Sequence, residues 1–297
     1  MEILGVKVDE VNKEQAMQKV VGFLSGGQHT IFTPNPEFVV KAQKDEYFKK
    51  VLNSGDLNLC DGMGLELAIR ISPLPRWSEE GVAEALTAID GKPPLPLLGK
   101  EGIKRIPGVD FMLDICNLAA EKDKTVYLLG SGSDEVVKKT AENLQTQFPN
   151  LKIVGYDKGP ELRETCHSRK SGNPVDDCLD SHLHGNDSED IDKINAAQPD
   201  ILFVAFGMGK QEKWIYENLS KMPGVKIAMG VGGSFDYVSG KIKRAPLFLR
   251  QLGLEWMYRL VREPQRFKRI FNATVKFTYL VLKSKFLISN VKSNPND

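Results

Sequence analysis

The stretch that decides the fold is P-D-I-L-F-V-A-F-G-M-G, residues 199–209, in which an apolar run ends in glycines. A helical pattern that carries Gln211 and Trp214 follows it directly. Other short β-type runs alternate with helical patterns along the chain, at residues 30–33, 124–129, 151–155 and 226–231. Apolar strands between helices are typical of a parallel sheet covered on both faces. The sequence therefore predicts an α/β fold, with a Rossmann-like parallel-sheet core and helices on both faces.

The composition is that of an ordinary globular protein. Of the 297 residues, 41% are hydrophobic and 27% are charged, which is enough for a sizeable core. The first residues lack the basic and apolar segments of a secretion signal. No apolar run approaches the roughly 20 residues that span a bilayer. The four cysteines follow no disulfide pattern, so we expect a reducing, cytoplasmic setting.

Positive charge is concentrated at the end of the chain. Residues 241–297 hold 13 Lys and Arg against 3 Asp and Glu, a balance of +10. The whole chain is +1, so residues 1–240 sum to −9. We therefore expect an anionic partner at this end. The acidic remainder and the absence of a recognition motif disfavour nucleic acid.

The same segment predicts a helical appendage. Arg259, Arg262, Arg266 and Arg269 follow helical spacing, with aromatic and aliphatic residues among and after them. A basic amphipathic helix suits a membrane surface. A helix packed on the domain with a solvated basic face stays open as an alternative. We predict a core over residues 1–240 and a membrane-associating C-terminal appendage over 241–297.

Two segments break the alternation of strands and helices. Residues 72–102 are rich in proline, and residues 160–187 have no clear period. We interpret both as insertions in the core. The second insertion contains five potential zinc ligands: Cys166, His167, Cys178, His182 and His184. Their spacing matches no standard zinc site, so we expect no metal.

Glycine turns follow two of the predicted strands. Gly130 opens one turn, and Gly232 and Gly233 form the other. Such turns present backbone N–H groups and helix N-termini to an anion, although each alone could be a plain turn. Glu135 stands where a dinucleotide fingerprint has its third glycine. Two turns on one sheet favour a nucleotide diphosphate.

Four polar residues have both a structural and a functional interpretation. Asp61 is either a general base at the mouth of the sheet or the N-cap of a helix that begins near Leu65. Thr33 and Asn35 lie in T-P-N-P, which is either a rigid turn or a way to orient both side chains towards a sugar. Gln211 lies early in a helix, on a solvated face or in a site.

Seven motifs occur in a specific order. They are T-P-N-P-E (33–37), D-G-M-G (61–64), R-I-P-G-V-D (105–110), P-D-I-L-F-V-A-F-G-M-G-K-Q-E-K-W (199–214), G-V-G-G-S-F-D (230–236), K-R-A-P (243–246) and L-E-W-M-Y-R-L-x-x-E-P-x-R-x-x-R (254–269). Together they resemble the WecG/TagA/CpsF glycosyltransferase family. The resemblance covers most of the chain outside the two predicted insertions.

The resemblance implies a reaction. The family moves N-acetylmannosamine, or its uronic acid, from UDP to GlcNAc-diphosphate-undecaprenol, with inversion and without a metal or other cofactor. The expected partners are thus a UDP-sugar donor, a polyprenyl-diphosphate-linked acceptor and the inner face of the bacterial membrane. A homo-oligomer stays open. So do a catalytically impaired membrane-binding module and a nucleotide-sugar enzyme with a soluble substrate.

The resemblance also implies roles for individual residues. Asp61 matches the proposed catalytic base. Thr33, Asn35 and Gln211 match residues of the sugar and diphosphate pocket, and Arg105 matches an arginine that meets the lipid diphosphate. The C-terminal arginines that close over the site are Arg259, Arg266 and Arg269. With the glycine-turn residues and Asp236 of G-V-G-G-S-F-D, these complete the predicted substrate-binding set.

Overall fold

A computed structural model of the chain describes residues 1–71, 105–159, 187–251, 255–262, 264 and 267–291. Both predicted insertions lie outside these residues, except that Asp187 begins a helix. The described strands are β1 (Glu2–Ile3), β2 (Val6–Lys7), β3 (His29–Phe32), β4 (Leu57–Asn58), β5 (Thr125–Gly130), β6 (Lys152–Asp157), β7 (Ile201–Ala205) and β8 (Ile227–Gly230).

Six of these strands form one parallel sheet. Its order is β4-β3-β8-β7-β5-β6, and every neighbouring pair is parallel. Strands β1 and β2 form a separate antiparallel pair. In the middle of the sheet Val126 pairs with Ile201, which pairs in turn with Ile227. The predicted parallel α/β core is confirmed.

Helices cover both faces of the sheet. The described helices are α1 (Lys13–Phe23), α2 (Pro36–Ala42), α3 (Glu46–Asn53), α4 (Met63–Ile71), α5 (Gly108–Glu121), α6 (Asp134–Gln147), α7 (Asp187–Ala197), α8 (Lys210–Asn218), α9 (Ser234–Val238), α10 (Leu247–Gln251), α11 (Glu255–Arg262), α12 (Phe267–Phe271) and α13 (Phe277–Val291). A 3₁₀ turn (Leu219–Lys221) follows α8, and a π-helical turn (Asn272–Lys276) joins α12 to α13.

Alternating side chains divide the core into two layers. Leu202 and Val204 of β7 pack with α2, α3, α4, α7 and α8, whereas Ile201 and Phe203 pack with α1, α5 and α6. This period of two is what a strand buried on both faces requires. The largest fully buried side chain, Trp214, meets Phe206 edge-on with ring centroids 5.5 Å apart.

The connections place a crevice at the carboxyl edge of the sheet. Helix α6 leaves β5 on one face, and α8 leaves the neighbouring β7 on the other face. In open α/β sheets, ligands bind where neighbouring connections diverge in this way. The turns at Gly130 and Gly207 lie at this point.

The described part of the C-terminal segment packs on the core. Phe277 is only 2% exposed and belongs to the layer that contains α2 and α4. The division at residue 240 stays a prediction. Among the described residues, no helix combines the length and the apolarity that crossing a membrane would need.

Candidate active site

A cavity of about 520 Å³ lies beyond the carboxyl ends of β3 and β4. Three chain regions form its walls: the turns after these strands, the start of α5, and the C-terminal segment. Its lining includes the predicted site residues Asp61, Asn35 and Arg105. Apolar side chains complete the wall: Met63, Leu67, Val109, Trp256 and Ile270.

Asp61 stands at the mouth of the sheet. Its backbone N–H donates to the carbonyl of Pro34 over 3.0 Å, which joins the turns that follow β3 and β4. Helix α4 begins at Met63, and the N–H of Glu66 closes its first turn on the carbonyl of Gly62. Gly62 therefore holds the N-cap position and Asp61 precedes it. The helix thus begins two residues before Leu65, and the role of the Asp61 side chain, as base or as helix cap, stays a prediction.

In the T-P-N-P turn, the side chain of Asn35 has a structural role. Oδ1 of Asn35 caps α2, accepting from the N–H groups of Glu37 (2.9 Å) and Phe38 (3.2 Å). Capping uses the oxygen of the side-chain amide, so only its NH₂ end remains for a sugar hydroxyl. Thr33 is buried, and a Cβ built on Gly108 would lie 3.3 Å from its Oγ1. Glycine at 108 thus lets the start of α5 approach Thr33 closely.

Two hydrogen bonds link the R-I-P-G-V-D loop to other parts of the chain. The N–H of Ile106 donates to the carbonyl of Cys60 over 2.8 Å. On the other side, the guanidinium of Arg105 donates to the backbone carbonyl of Arg250. This contact couples the predicted acceptor-binding arginine to the first helix of the C-terminal segment.

Arg244 is a site residue that the sequence analysis missed. Its Nη1 and Nη2 bind the carboxylate of Asp110 over 2.6 and 3.2 Å. Burial of Asp110 alone would raise the pKa of this carboxyl, but the hydrogen bonds and charge of Arg244 outweigh burial and lower it. Burial would lower the pKa of Arg244, but Asp110 raises it, and Glu255 and Asp61 add smaller contributions in the same direction. Arg244 lies in the motif K-R-A-P, but the predicted site included no residue of that motif.

Gln211 belongs to a buried network rather than to a solvated face. It is 2% exposed, and its Oε1 accepts from the N–H of Gly232 over 2.9 Å. Its Nε2 donates to Glu212, which also accepts from the N–H of Gly209. This chain of bonds holds the turn after β7 against the turn after β8. Burial raises the pKa of Glu212 to about 7.

The Gly130 turn offers an anion fewer backbone N–H donors than the sequence predicted. Gly130 has φ +119°, and a Cβ there would lie 2.7 Å from the backbone of Ala205. The N–H groups of Ser131 and Gly132 donate to the carbonyls of Ala205 and Lys158. An anion at this turn would thus have to use N–H groups of α6, whose first turn already carries two acidic residues.

Two further predicted residues, Gly233 and Asp236, follow β8 at the same edge of the sheet. Gly233 precedes α9, and Asp236 lies within that helix, 3.2 Å from the ammonium of Lys241. These residues, with Gln211 and Gly130, are not among those that line the cavity. Arg266 lies outside the described residues. Arg259 and Arg269 lie in α11 and α12, where the structure describes their backbone only.

Comparison with known proteins identifies the family of the chain. The model of the Glycosyl transferase WecG/TagA/CpsF family matches residues 1–85 and 83–290. The chain belongs to this glycosyltransferase family. Both turns at the cavity, the R-I-P-G-V-D loop and the C-terminal wall lie within the matched residues, so the cavity is built from the family's own segments.

Several similar proteins share one name, N-acetylglucosaminyldiphosphoundecaprenol N-acetyl-beta-D-mannosaminyltransferase. The protein from Bacillus spizizenii is 31% identical over 85% of this chain and 78% of its own length. The one from Bacillus subtilis is 29% identical over 94% and 86%, respectively. The Staphylococcus aureus protein is 27% identical over 98% and 96%.

The described residues hold no group of three or more His, Cys, Asp or Glu side chains that could bind a metal. The cysteines and histidines of the second predicted insertion lie outside them. Cys60 and Cys116 are buried free thiols, and burial raises the pKa of both. Neither thiol is therefore suited to act as a nucleophile or a metal ligand in this glycosyltransferase.

Proposed function

We propose that the chain transfers N-acetylmannosamine from a UDP-sugar to a polyprenyl-diphosphate-linked GlcNAc. The observation that carries this proposal is the cavity in which Asp61 lies with two arginines, Arg105 and Arg244. The shared name of the relatives supports the acceptor and the sugar. The UDP donor and the inverting mechanism follow from the family resemblance. N-acetylmannosaminuronic acid is the alternative sugar.

The reaction needs one base and a stabilised leaving group. The acceptor hydroxyl attacks C1 of the donor sugar while the carboxylate of Asp61 takes its proton. The bond from C1 to the UDP oxygen breaks, and UDP leaves with the electron pair. Attack opposite the leaving group inverts the anomeric centre. Asp61 fits this role because it lies in the cavity wall at the carboxyl edge of the sheet.

Charge on the diphosphates would be balanced by the protein. Arginine forks and backbone N–H groups bind phosphate oxygens well. We expect no metal requirement on this basis. The donor nucleotide would lie in the crevice between β5 and β7, one strand from the Gln211 network.

The acceptor is held in a membrane, which gives the C-terminal segment its role. Helices α10 to α13 carry many of the exposed large apolar side chains, including Phe248, Val261, Phe267 and Tyr279. Exposed apolar groups beside a basic sequence suit a bilayer interface. We propose that this segment holds the enzyme on the inner face of the cell membrane. Whether copies associate stays open.

The test is turnover of a UDP-N-acetylmannosamine donor with a short-chain GlcNAc-diphosphate-lipid, with and without EDTA. We expect UDP release only with the acceptor and no loss in EDTA. Asp61→Asn should lower kcat by roughly 10²–10⁴-fold. The matched control is Asp123→Asn, at the amino end of β5, which should leave kcat unchanged. Undiminished turnover by Asp61→Asn would remove the assigned base.

The assay also separates the alternatives. Binding to vesicles without any turnover would favour a membrane-binding module. Transfer to a soluble acceptor would favour a different nucleotide-sugar enzyme.

A further inference from the structure

Arg244 is placed to bind a second anion in addition to Asp110. A guanidinium has five N–H donors and offers two forks, one at its end and one along its side. Asp110 occupies the end fork, formed by Nη1 and Nη2. The side fork, formed by Nε and one Nη, remains.

The Nε of Arg244 is a buried donor. Among the described residues, none accepts a hydrogen bond from it. A buried donor without a partner destabilises the fold, so such groups in native proteins call for an explanation. Arg244 is also 19% exposed and lines the cavity that contains Asp61. A ligand in this cavity can therefore reach the side chain.

We propose that the side fork of Arg244 binds the diphosphate of the lipid-linked acceptor, with Asp110 as the residue that positions it. This inference rests on the proposed function. Phosphate oxygens match the spacing of an arginine fork and form charge-assisted hydrogen bonds with it. The ion pair with Asp110 fixes the plane of the guanidinium before the ligand arrives, which lowers the entropy lost on binding.

The cavity favours the acceptor over UDP as the source of the diphosphate. Its lining combines the arginines and carboxylates Arg105, Arg244, Asp61, Glu37 and Glu255 with the apolar side chains of Leu67, Trp256 and Ile270. A diphosphate that carries a lipid chain needs both surfaces, whereas UDP carries no chain. The donor crevice at β5 and β7 lies on another part of the sheet edge.

The position of Asp61 is consistent with this placement. In the acceptor, the attacking hydroxyl and the diphosphate lie on one sugar ring. A base and a phosphate-binding group must therefore lie close together in the protein. Asp61 and Arg244 line one cavity and interact electrostatically.

The test compares Arg244→Gln with wild type in two assays, the KM for a short-chain GlcNAc-diphosphate-lipid and the Kd for UDP by calorimetry. We expect the acceptor KM to rise about tenfold or more, because a charged fork is lost. The Kd for UDP should stay within about twofold. The control Lys152→Gln removes a positive charge at the amino end of β6 and should change neither value.

Two further variants separate binding from folding. Asp110→Asn keeps the shape of the side chain but weakens the ion pair, so we expect a smaller rise in acceptor KM, about threefold, at unchanged UDP affinity. Arg244→Lys keeps the charge without the fork and should fall between wild type and Arg244→Gln. If Arg244→Gln shows no cooperative melting, Arg244→Lys decides the outcome.

An acceptor KM within twofold of wild type in Arg244→Gln, or in Arg244→Lys where that variant decides, would overturn the proposal. A parallel loss of UDP affinity would overturn it too, since it would assign the arginine to the donor. Binding of inorganic diphosphate, measured by calorimetry, needs no turnover. It should weaken in Arg244→Gln even if the chain fails to use this acceptor, and an unchanged affinity would count against the inference alone.

Discussion

The turns after β7 and β8 and the cavity beside β3 and β4 lie on the same sheet edge but are built in different ways. The first region is closed by buried hydrogen bonds among Gln211, Glu212 and Gly232. The second is open, and its walls come from the turns after β3 and β4, the start of α5 and the C-terminal segment. The comparison indicates that hydrogen bonds fix the first region before any ligand binds. The shape of the second region instead depends on how segments that are distant in sequence pack together.

The largest expected difference between the two regions concerns their tryptophans. Trp214 is fully buried under the first region, whereas Trp256 is 42% exposed in the cavity wall. Trp214→Ala should lower the free energy of unfolding by about 3–5 kcal/mol. Trp256→Ala should cost less than about 1 kcal/mol. Chemical denaturation measures both, and equal losses would mean that the C-terminal wall is as integral to the fold as the core.

A smaller effect concerns pH. Burial raises the pKa of Glu212 to about 7, above its usual value of 4.5. Between these values the folded chain retains a proton that the unfolded chain has lost. The contribution of Glu212 to the free energy of unfolding should therefore fall as pH rises from about 4.5 to about 7, by on the order of 3 kcal/mol.

The matched variants for this prediction are Glu212→Gln and Glu142→Gln. Glu212→Gln should lack the pH-dependent contribution, whereas Glu142→Gln, on the exposed face of α6, should retain it. Denaturation at several pH values measures the difference. Identical pH profiles for Glu212→Gln and wild type would contradict the picture of a closed, buried network.

The smallest expected effect concerns the outer surface of the open region. Phe267→Ser should weaken binding to vesicles that contain anionic lipid by up to about tenfold, because an exposed ring can no longer enter the interface. Stability should change by less than about 0.5 kcal/mol. Tyr156→Ser, at another exposed aromatic position on β6 (46% exposed, against 59% for Phe267), is the control and should leave vesicle binding unchanged. Equal effects of both variants would argue against a specific membrane-facing side.

Sequence patterns predicted the sheet well and the hydrogen bonds at its edge poorly. Continuous apolar runs such as residues 201–205 have one stable solution, which is a strand buried on both faces. No sequence pattern indicated whether the side chain of Gln211 is buried or exposed, because positions early in a helix are compatible with both. Its partner Gly232 is 21 residues away and meets it only in the folded sheet.

The predicted site residues divide in the same way. Asp61 and Arg105 line one cavity, as residues on neighbouring loops of a shared site should. Arg244 was missed because its partner, Asp110, lies 134 residues earlier in the chain. Its charge looked like part of the general basic character of residues 241–297. Substrate contacts of every predicted residue stay predictions.

The sequence by itself determined the parallel α/β core and the family, and it predicted the residue types that would meet the diphosphates. These follow from local periodicity and from motifs that are contiguous in the chain. The tertiary structure decided which of those groups have partners: the oxygen of Asn35 caps a helix, Gln211 is buried, and the Nε of Arg244 makes no hydrogen bond to a described residue. A hydrogen bond depends on angles and distances between segments that lie far apart in sequence, and only packing fixes these.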